Sequence, residues 1–187
     1  MKRIERDFIA LFNCLWYRDF PISGASVERD TSRADWTIHI GLVVRQCATL
    51  LGARALFEKG NRTDAIMRFP DGEALAHVEW EWKRAHTEIN EIEKLARSDS
   101  SVFCAFVGYS REEDVQAAID KTLGHWQDVS KPLIFFLITY EVEKGKRRFK
   151  DLRTYVFARN KVKKVRSQAA LPWEVNRSKL KTVADEA

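Results

Sequence analysis

Residues 77–83 combine carboxylates, a histidine and a lysine in a pattern that could support hydrolytic chemistry. The period of two of a β-strand places one polar set on a single face: His77, Glu79, Glu81 and Lys83. The other face carries an apolar set: Val78, Trp80 and Trp82. An exposed strand whose polar residues simply face water shows the same alternation. The residues of the neighbouring strand are therefore needed to decide whether this face is a reactive site or a solvated surface.

A hairpin turn is predicted at residues 70–73, where Pro and Gly follow one apolar run and precede the next. Centring the hairpin on this turn pairs positions whose numbers sum to about 143, which sets Asp64 opposite Glu79 and diagonal to Glu81. Clustered carboxylates repel one another unless a cation lies among them. The geometry therefore predicts an oxygen-ligated divalent metal site, with Lys83 adding positive charge.

Asp64, followed seventeen residues later by Glu81-Trp82-Lys83, resembles the signature of the PD-(D/E)XK, or restriction-endonuclease-like, nuclease superfamily. The predicted order of one helix, three strands, one helix and one strand over residues 35–107 is similar to the core of that family. Thr63 stands where the name-giving motif has proline. Asp71 also follows a proline, but at about 3.3 Å per residue its turn lies on the order of 30 Å from Glu81.

The resemblance implies a magnesium or manganese cofactor (Mg²⁺ or Mn²⁺) held by Asp64, Glu81 and the backbone carbonyl of Trp82. It also implies a catalytic set in which Lys83 positions or deprotonates the attacking water beside the two acids. A hard cation suits this chemistry, because it activates water and neutralises charge on the phosphate. Glu58 is either an additional ligand or a surface glutamate. Glu79 either tunes the site or pairs with a nearby arginine, Arg62 or Arg84.

The segment 144–166 is strongly basic, with eleven Lys or Arg residues against the single acid Asp151. A basic hairpin tip and tail could lie along phosphates, whereas a solvated basic hairpin is the alternative. The candidate nucleic-acid-binding residues are Lys146, Arg147, Arg148, Lys150, Lys161, Lys163 and Lys164. Aromatic residues are interleaved with this charge and could stack on bases or pack in the core: Tyr155, Phe157 and Trp173.

Composition predicts a folded globular protein, and the order of its predicted helices and strands predicts an α/β fold in which helices flank a central mixed sheet. The chain has 187 residues, 45% hydrophobic and 32% charged, with 8 Gly and 4 Pro. This length predicts a single domain over residues 1–187, with a core of about 35–142 and a basic hairpin and tail of about 143–187. The resemblance implies that this domain is nuclease-like. The expected order after an N-terminal amphipathic helix is α-βββ-α-β-α-ββ. The charged face of the helix near residues 87–97 is expected to be solvated.

Other function classes find little support in the sequence. Uncharged stretches are about ten residues long, too short for a transmembrane helix. The sequence contains neither an HExxH motif nor a nucleotide-binding glycine loop. Three separated cysteines, Cys14, Cys47 and Cys104, argue against a disulfide framework and favour the cytoplasm.

The sequence therefore predicts a metal-dependent nuclease whose partner is nucleic acid, DNA rather than RNA. The net charge of +5 is compatible with a polyanionic partner. A non-catalytic nucleic-acid-binding module with the same fold is the main alternative. A protein-interaction subunit that presents aromatic residues to a partner is the third: Trp80, Trp82, Phe135 and Phe136. No membrane partner is expected, and the sequence leaves open whether the chain forms a homodimer.

Overall fold

The structure is a computed structural model that describes residues 1–18, 20, 33–59, 63–84, 89–143 and 146–174. Within these ranges, the side chains of residues 33, 34, 59, 82–84, 146 and 173 fall outside the description. The helices are α1 (Arg3–Leu15), α2 (Arg33–Leu50), α3 (Asn90–Arg97) and α4 (Val115–Trp126). The strands are β1 (Arg54–Lys59), β2 (Thr63–Arg68), β3 (Ala74–Arg84), β4 (Phe103–Arg111), β5 (Leu133–Glu143), β6 (Lys146–Ala158) and β7 (Lys161–Ala169).

The seven strands form one mixed sheet in the order β1-β2-β3-β4-β5-β6-β7. β3, β4 and β5 are parallel, and the remaining neighbours are antiparallel. A parallel pair needs a crossover connection, and α3 and α4 supply the two crossovers. This arrangement confirms the predicted α/β class with helices flanking a central mixed sheet.

The central strands β4 and β5 are covered on both faces, as their uninterrupted apolar runs predict. Residues 103–110 of β4 and 133–140 of β5 are all buried. On one face, α1 and α2 pack a cluster that includes Phe12 and Phe136, whose rings stack with centroids 3.8 Å apart. On the other face, α3 and α4 pack a second cluster around Phe106 and Phe135. None of the described helices is long and apolar enough to cross a membrane.

The β2–β3 hairpin has the predicted register. Ala65 pairs with Val78 and Ile66 with His77, and both pairs sum to 143. The turn lies at residues 70–73, where Gly72 adopts φ +95°, a backbone angle that glycine accepts without steric cost. The turn also holds Asp71, whose Oδ1 accepts a hydrogen bond from the backbone N–H of Glu73 at 3.0 Å.

The prediction of a tail after the second hairpin was wrong for residues 161–169, which form β7 antiparallel to β6. Arg159 and Asn160 connect the two strands with φ of +52° and +60°, the left-handed geometry of a tight hairpin. The pairing shifts register where Thr154 faces Arg166 and Tyr155 faces Lys164, which leaves Val165 as an extra residue. This bulge interrupts the period of two, so the sequence pattern did not reveal the strand.

Candidate active site

Asp64 lies near the start of β2, with its half-buried carboxylate directed toward β3. Its Oδ2 accepts a hydrogen bond from the backbone N–H of Trp80 at 2.8 Å. Burial raises the pKa of the Asp64 carboxyl, whereas the Trp80 N–H, a hydrogen bond with Glu79 and the charge of Lys94 act in the opposite direction. The aspartate is thus fixed beside β3, one residue past the last Ala65–Val78 pair of the ladder.

Glu79 is buried, with 1% of its surface exposed, on the face of β3 that α3 covers. Its Oε1 lies 2.7 Å from Nζ of Lys94, and the same Nζ lies 3.2 Å from Oε2 of Glu91. The structure therefore places a lysine from α3 among three carboxylates, those of Asp64, Glu79 and Glu91. Glu79 pairs with Lys94. The side chains of the two arginines predicted as its partners, Arg62 and Arg84, lie outside the described part of the chain.

Burial raises the pKa of Glu79 to about 9, despite the nearby ammonium group of Lys94. The neighbouring carboxylates of Asp64 and Glu91 add to this rise, because like charges disfavour the ionised form. Burial acts to lower the pKa of Lys94, but its pairing with Glu79 and Glu91 outweighs burial and raises it. These shifts indicate that the carboxyl groups of Asp64, Glu79 and Glu91 are close enough to disfavour ionisation within the cluster.

Lys94 is the residue of this cluster that the sequence analysis missed. The charged face of α3 was expected to be solvated, and this prediction was wrong at Lys94, whose side chain is only 27% exposed. The spacing of Glu91 and Lys94, three residues apart on a helix, indicated a local ion pair. No sequence signal indicated that the same lysine reaches a buried glutamate on a strand.

Glu81 lies two residues after Glu79 on the same face of β3, half-buried and opposite Gly108 of β4. Trp82 and Lys83 continue this strand, and their side chains are among those outside the description. The pairing of β3 with β4 shifts register between Glu81 and Arg84. The convergence of Asp64, Glu81 and Lys83 stays a prediction, which the observed contact of Asp64 with the Glu79–Trp80 segment makes geometrically reasonable.

Glu58 is exposed on β1, and its backbone adopts φ +52°, which is costly for a residue with a side chain. The flanking pairs, Phe57 with Ala65 and Lys59 with Thr63, set Glu58 opposite Asp64 in register. This position is compatible with an additional acidic ligand. Its assignment stays a prediction.

Carboxylate and carbonyl oxygens, the atom types of the predicted metal-binding set at Asp64, are chemically suited to Mg²⁺ or Mn²⁺. Within the described ranges, no group of three His, Cys, Asp or Glu side chains is arranged to hold a metal ion. Mg²⁺ commonly uses one or two protein carboxylates and completes its shell with water and substrate phosphates. The candidate donors, Asp64, Glu81 and the carbonyl of Trp82, fit that mode of binding.

The first group of predicted nucleic-acid-binding residues lies at the start of β6, at the same end of the sheet as Asp64 and Glu81. The guanidinium of Arg147 lies 5.0 Å from the centre of the Tyr140 ring. Arg148 is 3.5 Å from Glu143, and Lys150 is 3.1 Å from Glu141. Two acids of β5 therefore offset part of the charge at this tip. The side chain of Lys146 is outside the description.

The second group, Lys161, Lys163 and Lys164, lies exposed on β7 at the opposite end of the sheet. Lys161 pairs with Ala158 and Lys164 with Tyr155, near the end where β5 begins. Four inter-strand steps separate β7 from β3, about 19 Å across the sheet. The seven basic residues thus form two separate groups rather than one surface.

Most of the aromatic candidates belong to the core. Phe135, Phe136 and Phe157 are fully buried, and Tyr155 is 6% exposed. Trp80 is half-buried and packs against the cluster under α1 and α2. In this structure the three phenylalanines can therefore neither stack on bases nor contact a partner.

No protein-family model matches the chain. No curated protein matches its sequence either. Two solved structures are similar to part of it. The YaeQ protein from Pseudomonas syringae is 11% identical, with a TM-score of 0.30, over 62% of this chain and 67% of that one. The YaeQ protein from Xanthomonas axonopodis pv. citri is 13% identical, with a TM-score of 0.31, over 70% and 79%. At such scores, this similarity carries no argument about fold or function.

Proposed function

We propose that the protein is a metal-dependent nuclease that hydrolyses phosphodiester bonds, with DNA as its substrate, and that it acts in the cytoplasm. The observation that supports this function is the β2–β3 register, which brings the Asp64 carboxylate against β3 directly before Glu81. The free thiols of Cys14, Cys47 and Cys104 are consistent with a reducing compartment. A homodimer would suit a nuclease that cuts both strands of a duplex.

In this proposal Asp64 and Glu81 hold Mg²⁺ or Mn²⁺, together with the backbone carbonyl of Trp82. When bound, the ion polarises the phosphate and lowers the pKa of water. Lys83 positions the attacking water as an ammonium group or, as a neutral amine, accepts the proton of that water. The Trp80 N–H holds Oδ2 of Asp64, and Glu79 hydrogen-bonds the same carboxyl group, so both contacts position Asp64 beside β3. Lys94 holds Glu79 beside this group and offsets the carboxylate charge.

Cleavage of plasmid and single-stranded DNA in Mg²⁺ or Mn²⁺ tests the nuclease assignment. We expect Asp64→Asn and Glu81→Gln to abolish metal-dependent cleavage. Lys83→Ala should retain Mn²⁺ binding, measured by calorimetry, while turnover falls at least a hundredfold, because general base catalysis is typically worth about 10²–10⁴. Asp71→Asn is the matched control, since Asp71 lies in the exposed turn. Equal cleavage by the wild type and Asp64→Asn would refute the assignment.

A non-catalytic nucleic-acid-binding module is the second candidate. The specific observation in its favour is Lys94, whose ammonium group already supplies positive charge between the carboxylates of Glu79 and Glu91. A chain of this kind would bind DNA equally well in EDTA and in Mg²⁺ and would leave it intact. The same cleavage assay, combined with binding in EDTA, separates the two functions.

A further inference from the structure

A cleft of about 590 Å³ lies between β2 and α3, beside the Asp64 cluster. The sheet side contributes Thr63, Ile66, Arg68 and His77, and the helix side includes Lys94 and Arg97. This volume is within the range of sites that hold small organic ligands. Lys94 lines the cleft and also forms the ion pair with Glu79. The cleft is therefore adjacent to the carboxylate cluster of Asp64, Glu79 and Glu91.

His77 forms part of the cleft wall and is 3% exposed. Neither of its ring nitrogens has a hydrogen-bond partner among the residues that the structure describes. Burial lowers the pKa of His77, and the charge of Lys131 lowers it further, which favours the neutral ring. A neutral imidazole offers one donor and one acceptor, and leaving both unused in a buried position is costly. A ligand with polar edges would satisfy them.

Positive charge lies at the end of the cleft remote from Asp64. Arg68 and Arg97 line it there, and Arg54 of β1 pairs with Arg68 in register, on the same face of the sheet. The cleft also contains acids, Glu93 and Asp99, of which Glu93 lies 3.8 Å from Arg97 and 3.3 Å from His125. Arg68 donates to the Gly72 carbonyl through one Nη at 2.7 Å, and a guanidinium has further N–H donors that could reach other acceptors.

The distance along β2 is suited to a chain of phosphates. Four residues separate Asp64 from Arg68, about 13 Å of extended strand. This length covers more than one phosphate-to-phosphate step of a polynucleotide. A cleft of about 590 Å³ with a half-closed wall of Ile66 and His77 is too small to admit a duplex.

We propose that the β2–α3 cleft binds one single-stranded segment of polynucleotide that leads away from the phosphate at Asp64. Arg68 and Arg97 contact its backbone, and His77 hydrogen-bonds a base or sugar edge. This proposal rests on the proposed nuclease function, because that function places a substrate phosphate at Asp64. The position of that phosphate sets the direction in which the strand runs through the cleft. It identifies the substrate class as DNA with an unpaired end or gap.

Fluorescence anisotropy in EDTA tests the cleft without requiring cleavage. The probes are a labelled ten-nucleotide oligothymidine and a labelled blunt hairpin duplex. The double variant Arg68→Gln/Arg97→Gln should lose about tenfold in single-strand affinity, and its salt-dependence slope should fall by about 1.4, or 0.7 for each lost phosphate contact. Duplex affinity should stay within twofold. Arg3→Gln is the control, since Arg3 lies on α1, on the other face of the sheet, where its Nε is 3.5 Å from Oδ2 of Asp7.

His77→Gln should weaken single-strand binding several-fold without changing the salt slope, because it alters hydrogen bonding and not charge. Far-ultraviolet circular dichroism of each variant establishes that the fold is retained. Unchanged single-strand affinity and slope in the double arginine variant would overturn the proposal, and so would an equal loss on the duplex. If no variant or metal gives cleavage but the arginine effect is found, the nuclease function fails and the cleft proposal stands. If cleavage is found without the arginine effect, only the cleft proposal fails.

Discussion

The carboxylate of Asp64 accepts a hydrogen bond from the backbone N–H of Trp80 at 2.8 Å, across the open end of the β2–β3 hairpin. This contact fastens the first acidic residue of the proposed site to the strand that carries the second, Glu81. It also gives the side chain two separable properties, a hydrogen-bond acceptor and a negative charge. Substitutions can therefore distinguish its structural contribution from its chemical one.

Asp64→Asn keeps an acceptor for Trp80 and removes the charge, whereas Asp64→Ala removes both. Because burial raises the pKa of Asp64, its ionised form is disfavoured in the fold, and the Asn variant should be at least as stable as the wild type. The Ala variant should lose about 1 kcal/mol, because the Trp80 N–H loses its partner. Urea unfolding measures both. Identical stability of the two variants would show that the hydrogen bond contributes nothing.

Lys94→Met should destabilise the fold by about 2 kcal/mol at neutral pH, because the buried carboxyl of Glu79, which burial keeps largely protonated, loses its charged hydrogen-bond partner. Adding Glu79→Leu to that variant should recover most of the loss, because no buried polar group is then left without a partner. A double-mutant cycle from urea unfolding at 25 °C gives the coupling free energy of the pair. Arg3→Met, which breaks an exposed pair with Asp7, is the control and should change nothing measurable. Strict additivity of the Lys94 and Glu79 substitutions would contradict the buried pair.

The buried ring of His77 should make stability depend on pH in the acid range. Its pKa in the fold lies below the unfolded value of about 6.5, so the unfolded chain binds the proton more readily. The stabilisation is fully present above about pH 6.5 and is lost as the pH falls through the interval between the two pKa values. Wild type should therefore lose more stability than His77→Gln between about pH 7.5 and pH 5. Parallel profiles of the two proteins, measured by urea unfolding, would argue that the ring is not buried.

The three thiols should differ sharply in reactivity. Cys14 is exposed, whereas Cys47 and Cys104 are buried, and burial raises the pKa of Cys47 to about 12. Burial also raises the pKa of Cys104. An aromatic disulfide reagent should titrate one thiol rapidly in the native protein and all three in guanidinium chloride, because the thiolate is the reactive form. Fewer than three thiols in the unfolded protein would reveal a disulfide.

The two basic groups should contribute unequally to duplex binding. Neutralising Arg147, Arg148 and Lys150 to Gln should weaken binding and reduce the salt slope by up to about 0.9 for each phosphate contact that is lost. Neutralising Lys161, Lys163 and Lys164 changes the net charge equally at the remote end of the sheet and should have little effect. Anisotropy with a duplex at nanomolar protein compares the two variants. Equal losses would indicate general attraction to the net charge instead of a located surface.

Much of the fold followed from local patterns in the sequence. The turn chemistry at residues 70–73 set the register of β2 and β3, and the unbroken apolar runs of β4 and β5 indicated strands covered on both faces. These signals are local, so a single sequence carries them. β7 was missed because the extra residue Val165 breaks its period of two.

The site was harder to predict, because its contacts depend on packing between distant elements. The register of the hairpin placed Asp64 near Glu79, and the structure contains that contact. The Lys94–Glu79 pair forms only if α3 packs on β3 at one particular position along the strand. The spacing of residues within α3 does not specify that position. The separation of the two basic groups was missed for a similar reason. The order of these residues along the chain does not show that β6 carries the chain to the other end of the sheet, where β7 begins.

β7 is the last strand in the sheet that the structure describes, and its outer edge carries Lys161, Lys163 and Lys164. An edge strand offers unpaired backbone groups to any other strand, and lysines there oppose such recruitment because pairing would bury their charge. We therefore expect these lysines, which are distant from the proposed chemistry, to oppose self-association through the β7 edge. The variant that replaces all three with glutamine should scatter more light as its concentration rises into the micromolar range, while the wild type stays dispersed.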